Sequence, residues 1–143
     1  MRLFSLACLC VLLTGCGGRL TSGSPDDQSR WQGTWKLVSA TESGEPRPGD
    51  LEWVVDGDHY NIVLDQQRHA DPYQLTLDPG HGRVDVFHHE TPPGTYGGKL
   101  KGIYKVSEDS LLVCFDLTGS YYPDSFDAGP GSRRALFQFQ REH

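Results

Sequence analysis

The stretch that decides the fold is residues 31–40, WQGTWKLVSA, in which two tryptophans flank a glycine and lead into an alternating run. Trp35 and Leu37 fall on one face of that run, and Lys36 falls on the other. Successive side chains of a β-strand point to opposite faces of the sheet, so a period of two predicts a half-buried strand. The open question is whether this strand belongs to an ordinary sheet or to a closed barrel with an interior.

The same period of two continues through most of the sequence after residue 30. Asp56-Gly57 separates two alternating runs and predicts a hairpin, because both residues tolerate the positive φ of a primed turn. Two longer segments, 88–99 and 118–133, are rich in proline and glycine and are predicted to be loops. No helical period of useful length accompanies them.

These runs amount to about eight antiparallel strands, joined mostly by short turns. A sheet of this size must curl onto itself or split into two layers, and closure removes the exposed edges that invite aggregation. The sequence therefore favours an all-β fold, a small antiparallel up-and-down β-barrel, over a sandwich. With eight strands, the interior is just wide enough to be filled by side chains or to hold one small ligand.

Residues 1–15 have the features of a secretory leader. Met1-Arg2 precedes an apolar run that ends near Leu13, and such a run is too short to cross a bilayer, which needs about 20 residues. The sequence Leu-Thr-Gly-Cys that ends at Cys16 resembles the bacterial lipobox. That resemblance implies lipidation of Cys16 and cleavage just before it, hence a lipid-anchored protein of the bacterial cell envelope, on the outer membrane or the periplasmic face. The alternative is a leader cut elsewhere and an unanchored secreted protein.

Residues 16–28 are predicted to be the lipidated cysteine and a flexible tether, because they are rich in Gly, Ser, Pro and Asp without an apolar period. Residues 29–143 are predicted to form the barrel domain. At the junction, residues 26–31 are predicted to form a short turn capped by Asp26 or Asp27.

Charge and cysteine content exclude several classes of partner. The chain has 13 Lys and Arg against 19 Asp and Glu, interspersed without a long run, which argues against nucleic-acid binding because that binding needs clustered cations. Beyond the leader and Cys16, only Cys114 remains, so no intrachain disulfide is expected. Cys114 lies in an apolar run and is predicted to be a buried structural thiol.

Gly33-Thr34-Trp35 resembles the G-x-W start of lipocalin-like proteins, in which the tryptophan closes one barrel end. Together with Gly102-Ile103-Tyr104-Lys105-Val106, Val113-Cys114-Phe115 and the closing residues 123–142, it is similar to an uncharacterised lipocalin-like domain family abundant in planctomycetes. The resemblance covers about residues 29–142 and implies a small β-barrel and bacterial secretion. It implies no activity and supplies no catalytic residues. The sequence departs from the pattern at Tyr121-Tyr122.

No metal, cofactor or catalytic site is predicted. His88-His89-Glu90 is the most metal-like string, but neighbouring residues on a strand point to opposite faces, so solvated histidines at the barrel rim are the favoured interpretation. The sequence contains no nucleophile elbow, phosphate-binding loop or zinc-protease motif. An enzyme therefore ranks third among the function hypotheses, after a binder of a small ligand and a protein-interaction module.

Aromatic residues dominate the face predicted to point inward. These residues are Trp35, Trp53, Tyr60, Tyr73, Tyr104, Phe115, Phe137 and Phe139. They are compatible either with the lining of a site for a small apolar ligand or with simple filling of the interior. In the second long loop, Tyr121, Tyr122 and Phe126 are predicted to be a lid over the barrel mouth or a patch for a protein partner.

These observations lead to two function hypotheses. The first is a lipid-anchored envelope lipoprotein whose lipocalin-like barrel binds a small hydrophobic ligand. The alternative is a non-catalytic envelope module with a filled barrel, whose loops contact another protein of unknown identity.

Overall fold

The structure is a computed structural model that describes residues 23–68, 72–87 and 98–143. The leader and Cys16 lie outside the described residues, as does the string His88-His89-Glu90.

The described part contains one short α-helix, a single 3-10 turn at Pro79–His81 and ten strands. Their bounds are α1 (Asp27–Arg30), β1 (Gly33–Glu42), β2 (Glu45–Pro46), β3 (Leu51–Asp56), β4 (His59–Leu64), β5 (Gln67–Arg68), β6 (Tyr73–Asp78), β7 (Arg83–Phe87), β8 (Lys99–Val106), β9 (Ser110–Asp116) and β10 (Arg134–Arg141).

The eight longer strands form a closed antiparallel barrel. Each pairs with the next one along the chain, and β1 pairs with both β3 and β10, so the sheet closes on itself. The two remaining strands have only two residues each: β2 pairs with β1, and β5 pairs with β4. The predicted all-β, up-and-down barrel of eight strands is confirmed.

The two ends of the barrel differ in their connections. At the end that we call the helix end, the turns between strands are short, at residues 57–58, 79–82 and 107–109, and α1 lies there. At the opposite end, the loop end, strands are joined by the longer connections 43–50, 65–72, 88–98 and 117–133. Both undescribed internal segments belong to loop-end connections.

Inward-facing residues form one apolar core. Trp53 is its centre, because its ring lies 4.3 Å from that of Phe139, 5.8 Å from that of Phe137 and 6.2 Å from that of Phe115, measured between centroids. Trp35 belongs to the same core and is fully buried. Alternate residues thus converge on a single enclosed space, as the period of two predicts.

The alternation breaks once, in β1. The pairing of β1 with β10 shifts between Leu37 and Ser39, so Val38 is an extra residue that bulges from the wall and is 58% exposed. After the bulge the inward face passes to Ala40, which is buried opposite Phe137.

Gly102 shows how closely the interior is filled. It is buried on β8, and a Cβ at this position would lie 2.8 Å from Cδ1 of Phe115 and 3.0 Å from the carbonyl oxygen of Cys114. A side chain here would therefore displace both an aromatic ring and a strand backbone.

Gly102→Ala is expected to lower the free energy of unfolding by about 1–3 kcal/mol, because added volume in a packed core forces neighbours from their preferred positions. Urea denaturation followed by tryptophan fluorescence measures the loss. Gly49→Ala is the matched control, since a Cβ at Gly49 meets nothing within 4 Å, and its effect is expected to stay within about 0.5 kcal/mol. Equal effects of the two variants would contradict a filled interior at Gly102.

Candidate functional site

A hydrogen bond between Tyr104 and Asp27 seals the helix end. The Tyr104 hydroxyl donates to Oδ2 of Asp27 over 2.8 Å, and the backbone N–H of Gly23 donates to the same oxygen over 3.1 Å. Nη1 of Arg30 lies 3.7 Å from Oδ1 of Asp27. Asp27 is fully buried, and a buried carboxylate is tolerated only with such partners.

Tyr104 stays a hydrogen-bond donor at any physiological pH. Burial, the hydrogen bond to Asp27 and the nearby negative charge all raise its pKa well above the usual value for tyrosine. The phenol therefore remains protonated and keeps the proton that it donates to Asp27.

This arrangement differs from the predicted capped turn. The turn forms as α1, but Asp26 makes no side-chain cap, and the side chain of Asp27 is directed into the barrel end. Gln28 also contacts the barrel, because its Nε2 donates to the Gly57 carbonyl over 3.0 Å. Asp27 and Gln28, which belong to the predicted tether, thus pack against the folded domain.

Arg141 fastens the helix end from the last strand. Its guanidinium lies over the Trp35 ring, 4.2 Å from the centroid, and donates to the carbonyls of Arg30, Gln32 and Glu108. One side chain therefore links β10, the residues on both sides of Trp31, and the turn between β8 and β9.

The glycine of the G-x-W motif makes room for this guanidinium. Gly33 has φ +110°, and a Cβ there would lie 2.8 Å from Nη1 of Arg141. Both the backbone conformation and the close approach thus require glycine at this position.

The eight aromatic residues predicted to bind a ligand divide into three groups. Trp35, Tyr104 and Phe139 are fully buried toward the helix end, where Trp35 donates from Nε1 to the Trp31 carbonyl over 2.8 Å. Trp53, Tyr60 and Phe115 are at most 4% exposed in the middle of the core, and Tyr73 and Phe137 are half-buried.

At the loop end, several inward-facing apolar side chains keep part of their surface accessible. We call this set the loop-end apolar surface. It consists of Leu51, Ile62, Leu64, Tyr73, Leu100 and Phe137. Leu64 is the most accessible, at 41% exposed, and lies directly across from Leu51 on the neighbouring strand. The rings of Trp53, Tyr60 and Phe115 lie beneath the set as its floor.

The floor is almost wholly apolar and uncharged. The rings of Tyr60 and Tyr73 are stacked, with centroids 5.0 Å apart. Burial raises the pKa of both phenols, that of Tyr60 well above the usual value, so both stay neutral. The indole Nε1 of Trp53 is buried and has no hydrogen-bond partner among the described residues, which leaves one unused donor in the floor.

The loop between β9 and β10 lies along the outer wall of the barrel. The Tyr122 hydroxyl donates to Oδ1 of Asp85 over 2.8 Å, and the guanidinium of Arg83 lies 4.5 Å from the Tyr122 ring centroid. Phe126 lies beneath Nζ of Lys105, 5.2 Å from its ring centroid. These contacts place both rings on the outside of β7 and β8, where they line neither the interior nor its mouth. Tyr121 is 76% exposed.

Asp116 fixes the start of this loop. Burial by itself would raise its pKa, but hydrogen bonds from the Thr118 hydroxyl and from the backbone N–H groups of Thr118, Ser120 and Tyr121 outweigh burial and lower the pKa. Beneath the loop, Cys114 is fully buried, and burial raises the pKa of its thiol to about 11.

Sequence reasoning named Asp27 only as a candidate cap of the short turn, and it missed both the buried hydrogen bond of Asp27 to Tyr104 and the role of Arg141. Arg141 did leave a signal, since it continues the inward alternation of Ala135, Phe137 and Phe139 as a charged residue where an apolar one is expected. The contact between Asp27 and Tyr104 left none. Within residues 23–68, 72–87 and 98–143, no three His, Cys, Asp or Glu side chains are grouped closely enough to hold a metal ion.

Comparison of the sequence with protein-family models and with curated proteins finds no match. In the described part of the chain, no helix has the length and apolar character needed to cross a membrane.

Arg141→Lys is expected to lower the free energy of unfolding by about 2 kcal/mol, because lysine keeps the charge but cannot reach three carbonyls and stack on Trp35 at once. Thermal and urea unfolding measure the loss. Arg68→Lys, at an exposed position on β5, is the matched control and is expected to change stability by less than about 0.5 kcal/mol. A loss no larger than that of the control would show that Arg141 does not hold the helix end.

Proposed function

We propose that the protein is a lipid-anchored lipoprotein of the bacterial cell envelope whose barrel binds a small hydrophobic molecule at its loop end. The observation that carries the ligand-binding part is the loop-end apolar surface. Inward-facing side chains such as Leu64 and Phe137 stay partly accessible there, above a floor of packed rings.

The chemistry of this surface favours an apolar ligand. Trp53, Tyr60 and Phe115 supply flat apolar area, and sites for small molecules are mostly apolar with a few polar groups that fix orientation. The unused Nε1 donor of Trp53 is one such polar group, which a hydrogen-bond acceptor on a ligand reaches only when the neighbouring rings shift. Trp35, Tyr104 and Phe139 are excluded from this proposed site because they are fully buried toward the helix end.

The second candidate function is a non-catalytic interaction module with a filled barrel. Two observations favour it. The helix half of the interior is packed with fully buried rings, and Tyr121 projects from the outer-wall loop with most of its ring in solvent. In that case Tyr121 contacts a protein partner, and the loop-end apolar surface binds no small molecule.

The anchoring part of the proposal depends on Cys16 and its resemblance to the lipobox. Two or more acyl chains on one cysteine hold a protein on a bilayer durably, whereas a single chain gives only marginal binding.

Leu64→Glu is expected to weaken binding of a fluorescent apolar probe, 1-N-phenylnaphthylamine, at least tenfold, because a carboxylate in the site costs more than about 1.4 kcal/mol of binding free energy. Probe titration of the chain from Gly23 onward measures the change. Native mass spectrometry of the same protein tests whether a ligand is retained from the expression host.

Val38→Glu is the matched control, because Val38 is an exposed apolar residue on the outer wall, away from the loop-end apolar surface. It is expected to leave probe binding unchanged. If the unsubstituted protein binds no probe and carries no retained mass, or if both variants bind equally well, the ligand-binding proposal is wrong and the interaction module becomes the better account.

Cys16→Ser in the full chain, expressed in a Gram-negative host, is expected to abolish labelling by radioactive palmitate, because serine lacks the thiol that is lipidated. Cys114→Ser is the control and should keep the label, since that thiol is buried in the folded domain. Unchanged labelling of Cys16→Ser would refute lipidation at this residue.

A further inference from the structure

The described chain begins at the helix end of the barrel. The Gly23 N–H donates to Asp27 over 3.1 Å, and an added Cβ on Gly23 would lie 3.2 Å from the Pro79 carbonyl oxygen in the turn between β6 and β7. Gly23 therefore leads out of the fold beside α1. A membrane anchor on the N-terminal side of Gly23 would therefore be connected to the helix end of the barrel.

The chain between Cys16 and Gly23 is short. Seven residue steps reach at most about 25 Å even when the chain is fully extended. The barrel itself is about 20 Å long, because β8 has eight residues at about 3.3 Å each on a strand tilted by about 40°. Placing the loop end against the membrane would therefore need a tether near its maximum length, whereas placing the helix end there needs no extension.

The helix end is acidic at its surface. Seven exposed carboxylates lie just before α1, in or next to the three short turns, or just after β10, namely Asp26, Asp56, Asp58, Asp78, Glu108, Asp109 and Glu142. The guanidinium of Arg141, at the same end, contacts backbone carbonyls and Trp35, and three exposed histidines each lie beside one of these carboxylates: His59 beside Asp58, His81 beside Asp78 and His143 beside Asp109. Anionic lipid headgroups attract basic segments, so this surface gains no adhesion from them and keeps water between itself and the bilayer.

We infer that the anchored barrel stands with its acidic helix end toward the membrane and its loop-end apolar surface directed away from it. This inference rests on the proposed anchoring at Cys16. An apolar ligand then reaches the loop end from the aqueous side, and not by direct transfer out of the bilayer that holds the anchor.

The test measures the height of each end above a membrane without relying on natural lipidation. Residues 1–15 are replaced by a histidine tag directly before position 16, Cys16→Ser is introduced, and the protein is bound to vesicles of phosphatidylglycerol and phosphatidylethanolamine that contain nickel-chelating lipid. Ser29→Cys on α1 and Glu45→Cys on β2, both at exposed positions, are labelled in separate proteins with a donor fluorophore. The buried Cys114 stays unlabelled.

Energy transfer to acceptor-labelled headgroups is expected to place the donor at position 45 about 20 Å farther from the membrane than the donor at position 29. Inserting about twelve Gly and Ser residues between Ser22 and Gly23 is expected to reduce this difference, because a longer tether no longer restricts which end is near. Tryptophan fluorescence of every variant checks that the barrel is folded.

Equal heights, or a shorter distance for position 45, would overturn the inferred orientation while leaving the anchoring proposal to the palmitate experiment. If the unsubstituted full chain takes up no palmitate label while the expected heights are retained, the anchoring proposal is wrong, and the orientation does not apply to the natural protein. A height difference unaffected by the longer tether would support the inferred orientation and would overturn only the short tether as its cause.

Discussion

The rest of the structure depends on the contacts that the Arg141 guanidinium makes with three backbone carbonyls and the Trp35 ring. Closure of the barrel requires β10 to meet β1, and Arg141 lies directly across from Trp35 in that pairing. By bonding to carbonyls before and after Trp31, it also holds α1 against the barrel, which brings Asp27 to the Tyr104 hydroxyl. Strand closure, the position of the helix and the buried hydrogen bond are therefore coupled through one side chain.

This coupling makes the two halves of the interior unlike each other. At the helix end, the fully buried rings of Trp31, Trp35 and Tyr104 pack around the hydrogen bond between Tyr104 and Asp27, while Oδ1 of Asp27 and Nε1 of Trp31 have no hydrogen-bond partner among the described residues. At the loop end, no comparable cluster of described residues covers the inward-facing side chains, and Leu51, Leu64 and Phe137 remain partly accessible. The interior is thus fully buried at the helix end and partly accessible at the loop end.

Much of the fold could be predicted from the sequence, because a period of two marks each strand and its inward face locally. The division of the aromatic residues between the two ends could not, since it depends on strand tilt and stagger, which leave no trace in a one-dimensional pattern. Asp27 and Tyr104 are 77 positions apart, and only the closed barrel brings them together. The positions of Tyr122 and Phe126 could not be predicted from the sequence either, because they depend on contacts of their rings with Arg83 and Lys105 on the outside of β7 and β8.

The burial of Cys114 beneath the loop between β9 and β10 affects how the protein tolerates an oxidising compartment. Thiolates, not thiols, attack disulfides and react with oxidants, and a thiol with a pKa of about 11 is almost entirely protonated at neutral pH. The folded barrel therefore resists mixed-disulfide formation and crosslinking between copies. Cys114 is the one cysteine among the described residues, and a brief exposure of its thiol during unfolding is the route by which such damage would begin.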